Sequence, residues 1–187
     1  AIQKSDTYKE FVSEFQELYT AVDSLGGVVS EDDLLTELSK DPSLRNHIYF
    51  LLVIGDPFHR IKEDNAFCDR WCIEKKVATS VEKALKNIYT SLKEDELISE
   101  DEILARLKDE LTDVEERYRD EKVLRRWLSI SKEIARNPLG EWGPAQSPNV
   151  RAKGIRDYAY LAVKRHGSPM HFREVAESIE SLFNRKA

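Results

Sequence analysis

The sequence predicts a mainly α protein built from tandem winged helix-turn-helix units with short β-hairpin wings. Turn-forming residues are scarce, with 7 Gly and 6 Pro among 187 residues, about 7% where a typical chain holds about 12%. Apolar residues recur at spacings of three and four, the period of an amphipathic helix. The same order of signals then returns roughly seventy residues further on, as in an internal repeat.

The first helix is expected from Tyr8 to Leu25, where Phe11, Val12, Phe15, Leu18, Tyr19 and Val22 share a stripe, and Gly26-Gly27 ends it. Val28-Val29 is a short apolar step. Ser30-Glu31-Asp32-Asp33 then reads as a capping box that opens a second helix with Leu34, Leu35 and Leu38. Pro42 breaks that helix, and a third, rich in apolar residues, runs from Ser43 to Ile54 and stops at Gly55-Asp56-Pro57. Phe58 and Ile61, the polar Asp64-Asn65, then Phe67, Trp71 and Ile73 read as two short strands around a turn.

The repeat begins with Val81, Leu85, Ile88, Tyr89 and Leu92 on one helix. Leu97-Ile98 stands where Val28-Val29 stood, and Ser99-Glu100-Asp101-Glu102 caps a helix of Ile103, Leu104 and Leu107. A third helix is expected from Asp120 to Arg136, with Val123, Leu124, Trp127, Leu128 and Ile134 as its apolar stripe. The Gly- and Pro-rich stretch from Asn137 to Pro144 reads as a shortened wing or a linker. Helices follow at Ile155–Arg165 and Phe172–Phe183, separated by His166-Gly167 and Ser168-Pro169. The chain therefore divides into an acidic winged-helix-like unit at 1–76, a second unit at 77–153 with a basic third helix and loop, and a helical hairpin at 154–187 that is the start of a third, truncated unit.

No apolar run nears ~18 residues, so no membrane-spanning helix is expected. No basic opening leads into an apolar stretch, so no secretory signal is expected, and two Cys do not make a disulfide scaffold. A cytoplasmic protein is the default. The net charge of -6 argues against nucleic acid until it is resolved along the chain. Residues 1–60 carry 11 acidic and 5 basic side chains, 61–130 carry 18 and 14, and 131–187 carry 6 and 10. From Lys122 to Arg173, eleven basic residues stand against Glu133, Glu141 and Asp157, a net of +8. That segregation makes a local positive field suited to a polyanion, and a solvated charged face is the plainer alternative.

The residues expected to meet phosphates are Lys122, Arg125, Arg126, Lys132, Arg136, Arg151, Lys153 and Arg156. Arg117, Arg119 and Arg125 are the candidates for reading base edges. Trp127 reads as core. Cys68 and Cys72 with the distant His59 lack a fourth ligand and the paired knuckles of a structural zinc site, so they read as packing groups and no metal is expected. His171 reads as a helix cap. The acidic clusters at 94–96, 100–102 and 113–116 lack a calcium-loop pattern. No phosphate loop, nucleophile elbow or zinc-protease motif occurs. No catalytic residue, cofactor or small-molecule substrate is expected.

The stretch from Asp157 to Val163, continued by His166-Gly167-Ser168-Pro169-Met170-His171-Phe172-Arg173-Glu174-Val175-Ala176, resembles the start of a HARE-HTH domain. That family is a winged helix-turn-helix found in the delta subunit of bacterial RNA polymerase, in chromatin regulators and attached to restriction enzymes. Trp127 to Lys132, Asn137 to Gly143 and Gly154 to Asp157 also resemble the C-terminal part of bacterial sigma-factor-like proteins. This second resemblance implies that Ala1 lies just downstream of a promoter-reading domain. Together they imply a non-enzymatic transcription protein, without membrane contact, whose partners are duplex DNA, RNA polymerase or both. The alternatives are a protein–protein interaction module and the accessory DNA-binding part of a restriction or other DNA-processing enzyme.

Overall fold

The computed structural model describes residues 6–183, with side chains described over 10–182. The side chains of Tyr8 and Phe183, and the chain ends at 1–5 and 184–187, lie outside the described residues. The three-four spacing of Phe11, Phe15, Leu18 and Val22 produces α1 (Asp6–Ser24), with Leu18 and Val22 buried. Gly26 and Gly27 follow with φ of 111° and 71°, a left-handed region in which a Cβ is strained. They turn the chain into β1 (Val28–Ser30). The Ser30 hydroxyl accepts the Asp33 N–H at 3.1 Å and starts α2 (Glu31–Leu38), as the capping pattern predicts. Asp41 caps α3 (Pro42–Ile54) in the same way, with Pro42 in the first turn, where it loses no hydrogen bond. Strands β2 (His59–Ile61) and β3 (Arg70–Cys72) complete an antiparallel sheet ordered β1-β3-β2, with Trp71 opposite both Val29 and Arg60. Leu18, Val22, Val29, Leu34, Leu52 and Trp71 pack in the core between helices and sheet.

The order then returns. Helix α4 (Lys75–Ser91) is followed by Ile98, and Ser99 accepts the Glu102 N–H at 3.2 Å at the head of α5 (Glu100–Glu110). A 3₁₀ turn at Glu116–Tyr118 leads to α6 (Glu121–Ile130), and then come β4 (Ile134–Arg136) and β5 (Trp142–Pro144). Strands β4 and β5 pair antiparallel. Ile98 and Trp142 exchange both backbone hydrogen bonds, at 2.8 and 2.9 Å, so Ile98 flanks β5 as β1 flanks β3. The expected helix from Asp120 to Arg136 is corrected here. It stops at Ile130, because the Ile130 carbonyl accepts the Cys68 N–H at 3.0 Å and the Lys132 N–H donates to the Ala66 carbonyl at 2.7 Å. Ile134 is buried on the sheet opposite Pro144.

Helices α7 (Ile155–His166) and α8 (Phe172–Phe183) form a hairpin, with Gly167 at φ 75° closing α7. Tyr158, Leu161 and Ile179 are the core of that hairpin. The chain is thus mainly helical with two small antiparallel sheets. Packing groups it into two compact units, one of Ala1–Asn87 with Leu107–Lys132 and one of Ile88–Arg106 with Glu133–Ala187. Among the described residues no helix is long and apolar enough to cross a membrane.

Candidate nucleic-acid interface

The basic residues are displayed by two scaffolds, one in each unit. In the first, α6 buries Val123, Leu124, Trp127, Leu128 and Ile130, and the Trp127 indole N–H donates to the Val28 carbonyl at 3.1 Å. With that stripe inward, Lys122 and Arg125 face solvent and Arg126 is half-buried. Arg125 pairs with Glu121 one turn earlier at 3.1 Å, and Arg126 pairs with Glu37 of α2 at 3.1 Å. Lys132, just past the helix, meets Glu63 at 2.6 Å and the Asp64 carbonyl at 3.0 Å. Three of these four cations already hold a carboxylate. Exposed pairs of this kind contribute only ~0–1 kcal/mol each, so a phosphate can displace the carboxylate at little cost.

In the second unit, Arg136 at the end of β4 pairs with Glu100 at 3.3 Å. Arg151 donates from Nε to the Ala145 carbonyl at 2.9 Å and from Nη2 to the Gln146 side chain, which ties it to the turn after β5. Lys153 and Arg156 bracket the start of α7 and are exposed. Between them, the backbone N–H groups of Gly154 and Lys153 each donate to Asp157 Oδ2 at 3.1 Å, and these bonds hold the Asp157 carboxyl below its ordinary value. The eight predicted residues therefore fall into two groups: Lys122, Arg125, Arg126 and Lys132 in the first unit, and Arg136, Arg151, Lys153 and Arg156 in the second.

Two of the candidates for base reading are committed elsewhere. Arg117 pairs with Asp23 at 2.6 Å and Glu115 at 2.7 Å, and the Tyr118 hydroxyl donates to the same Asp23. Arg119 donates to the Thr112 and Val114 carbonyls and closes the loop before α6. Arg70, the largest buried cation, donates from Nε and Nη2 to Glu82 at 2.8 and 2.6 Å, and from Nη1 to the Cys68 carbonyl. Such a pair costs several kcal/mol if one partner is removed and is structural.

The remaining chemistry candidates resolve locally. Cys72 is fully buried, and burial pushes its thiol up to about 11; Cys68 is half-buried and also raised by burial. Among the described residues no group of three or more His, Cys, Asp or Glu side chains is placed to hold a metal ion. His171 Nδ1 accepts the Arg173 N–H at 3.4 Å while Glu174 accepts the His171 N–H at 2.8 Å, a reciprocal cap at the head of α8. Burial lifts the Asp64 carboxyl, but the N–H groups of Phe67 and Ala66, each at 2.8 Å, and the charge of Arg70 hold it below its ordinary value.

Sequence reasoning passed over one surface. Helix α3 occupies the place in the first repeat that α6 occupies in the second, yet its outward side chains include Phe50, Val53 and Ile54 and no cation. The signal was in the sequence, in a third helix with more apolar residues than one buried face requires. No protein family, no curated protein and no solved structure matches this chain.

Proposed function

We propose that this chain is a non-enzymatic, cytoplasmic transcription protein made of tandem winged helix-turn-helix units of the HARE-HTH kind. It engages duplex DNA, RNA polymerase or both as the regulatory C-terminal part of a sigma-like or delta-like factor. The observation that carries the reading is the repeated order of helix, strand, helix, helix and hairpin, with β1 beside β3 in one repeat and Ile98 beside Trp142 in the next. In the second repeat the third helix presents Lys122 and Arg125 to solvent, the position and charge that a phosphate backbone requires. Lys153 and Arg156 supply the matching cations of the second unit.

Fluorescence anisotropy with a duplex of about thirty base pairs tests the DNA half of the reading. About six phosphate contacts weaken binding roughly a thousandfold between about 50 and about 200 mM salt. Lys122→Glu with Arg125→Glu, and separately Lys153→Glu with Arg156→Glu, are expected to weaken binding at least tenfold and to flatten the salt slope. Absence of binding by the unaltered chain at the lower salt refutes the DNA assignment. A second reading, a protein-interaction module, is favoured by the apolar outward face of α3.

A further inference from the structure

We infer that the α1–α3 side of the first unit is a docking groove for an amphipathic helix of a partner protein, one whose apolar stripe is flanked by Lys and Arg. A hollow of about 400 Å³ lies there, floored by Leu18, Leu38, Leu44 and Leu51. Glu14 and Glu17 of α1 stand at its rim, and His47 of α3 reaches Glu14 at 3.2 Å. Leu44 in that floor is 45% exposed, and further along the same side of α3 Ile54, also 45% exposed, lines a second hollow with Val12 and Phe15 of α1. Large apolar side chains grouped this way mark an interaction site rather than a solvated face. Helix α3 has thirteen residues, about 20 Å at the helical rise, which is room for three to four turns of a bound helix laid in the groove.

Charge selects the occupant. Along α1 the sequence has Asp6, Glu10, Glu14, Glu17 and Asp23 against one cation, Lys9, and of these Asp23 is already paired with Arg117. The one cation of α3, Arg45, is half-buried and donates from Nε to the Ser39 carbonyl at 2.8 Å. An apolar floor with an acidic rim repels a phosphate backbone and attracts a basic helix. A second copy meeting this face would add a second acidic rim and, among the described residues of α1 and α3, no free cation to the contact, so like charge accumulates there, which is unfavourable. The contrast with α6 is internal evidence. At the same place in the two repeats, one helix shows solvent its cations and the other its apolar side chains, so the two repeats are surfaced for different partners.

The test uses the full chain and a fluorescein-labelled designed helix of about eighteen residues, with leucines on one face and lysines on the flanks. Its controls are the same composition scrambled and the same design with glutamates in place of lysines. The lysine helix is expected to bind, with both controls at least about tenfold weaker. Leu44→Asp with Ile54→Asp is expected to weaken it at least tenfold, and Glu14→Lys with Glu17→Lys about fivefold. All four positions are exposed, and unchanged circular dichroism verifies the fold. Equal binding of the scrambled peptide, or equal binding by both variant pairs, overturns the proposal. So does concentration-dependent self-association in sedimentation that Leu44→Asp abolishes, since a second copy then fills the groove. None of these residues is altered in the duplex experiment, so failure here and failure of DNA binding are read separately.

Discussion

At Gly26 the backbone sits at φ 111°, and a Cβ built there would lie 2.4 Å from Val123 Cγ1 and 3.1 Å from the Trp127 indole nitrogen. Gly26→Ala therefore combines an unfavourable dihedral with a clash against α6, and is expected to cost about 2 kcal/mol or more. Urea denaturation followed by tryptophan fluorescence measures this, and an unchanged midpoint would contradict the packing described for β1 and α6. Carboxylates give a second prediction. Asp64 is held low by the Phe67 and Ala66 N–H groups against the opposing effect of burial. Glu96 is held low chiefly by the Lys93 N–H at 2.9 Å, with Arg106 adding its charge. Each is more acidic folded than unfolded, so its contribution is complete above the ordinary carboxylate range and is lost as pH falls through the folded-state value. The urea midpoint is expected to drop between about pH 6 and about pH 3, and Asp64→Asn to flatten that drop.

At the scale of elements, the order of helix, short extended step, two helices and hairpin occurs twice along the chain, and the two occurrences differ in what they show solvent. Both second helices begin on a serine whose hydroxyl accepts an N–H three residues on. Ser30→Ala and Ser99→Ala are each expected to cost about 1 kcal/mol, in opposition to the mild gain from alanine at an ordinary exposed helix position. Thermal unfolding by circular dichroism checks both, and a neutral result at Ser30, the buried one of the pair, would argue against its capping role. Helices were legible because their spacing and caps act within one or two turns. The end of α6 was not. Nothing local to Ser131 or Lys132 forbids another turn; the helix stops because Ala66 and Cys68, more than sixty positions earlier, take up the backbone groups of Lys132 and Ile130. Ile134 fits a helical stripe and a strand equally well, since an apolar residue at one spacing satisfies both, and its pairing with Pro144 decides between them.

Across the whole molecule, the net charge of -6 conceals an uneven distribution. The first packed unit holds 23 acidic and 18 basic residues and the second 12 and 11. The basic run from Lys122 to Arg173 is shared between them, its first eleven residues in one unit and the rest in the other. The two charge-reversal pairs proposed for the duplex experiment therefore sample separate units, and each is expected to reduce the salt slope by about 0.9 per phosphate contact removed. A slope that only one pair changes would assign the duplex to that unit alone. Overall charge sets how such a chain meets polyanions in general, whereas the local field around the displayed cations sets where.

The sequence alone determined the elements that rest on short-range physics: the helical stripes of α1 and α4, the Ser30 and Ser99 caps, the glycine turn at 26–27, the repeat of their order and the segregation of charge. Each depends on groups a few residues apart, which any fold of this chain must satisfy. Only the tertiary structure decided which cations are paired, because Glu37 lies 89 positions from Arg126 and Glu63 lies 69 from Lys132. It likewise decided that α6 packs with the first unit under β1, that Arg117 is taken up by Asp23 of α1 and Arg119 by the carbonyls of the loop before α6, and that α3 turns Phe50 and Val53 outward. Those outcomes follow from burying the apolar area of distant segments together and from satisfying their backbone groups across the chain, and neither is encoded in any single stretch of sequence.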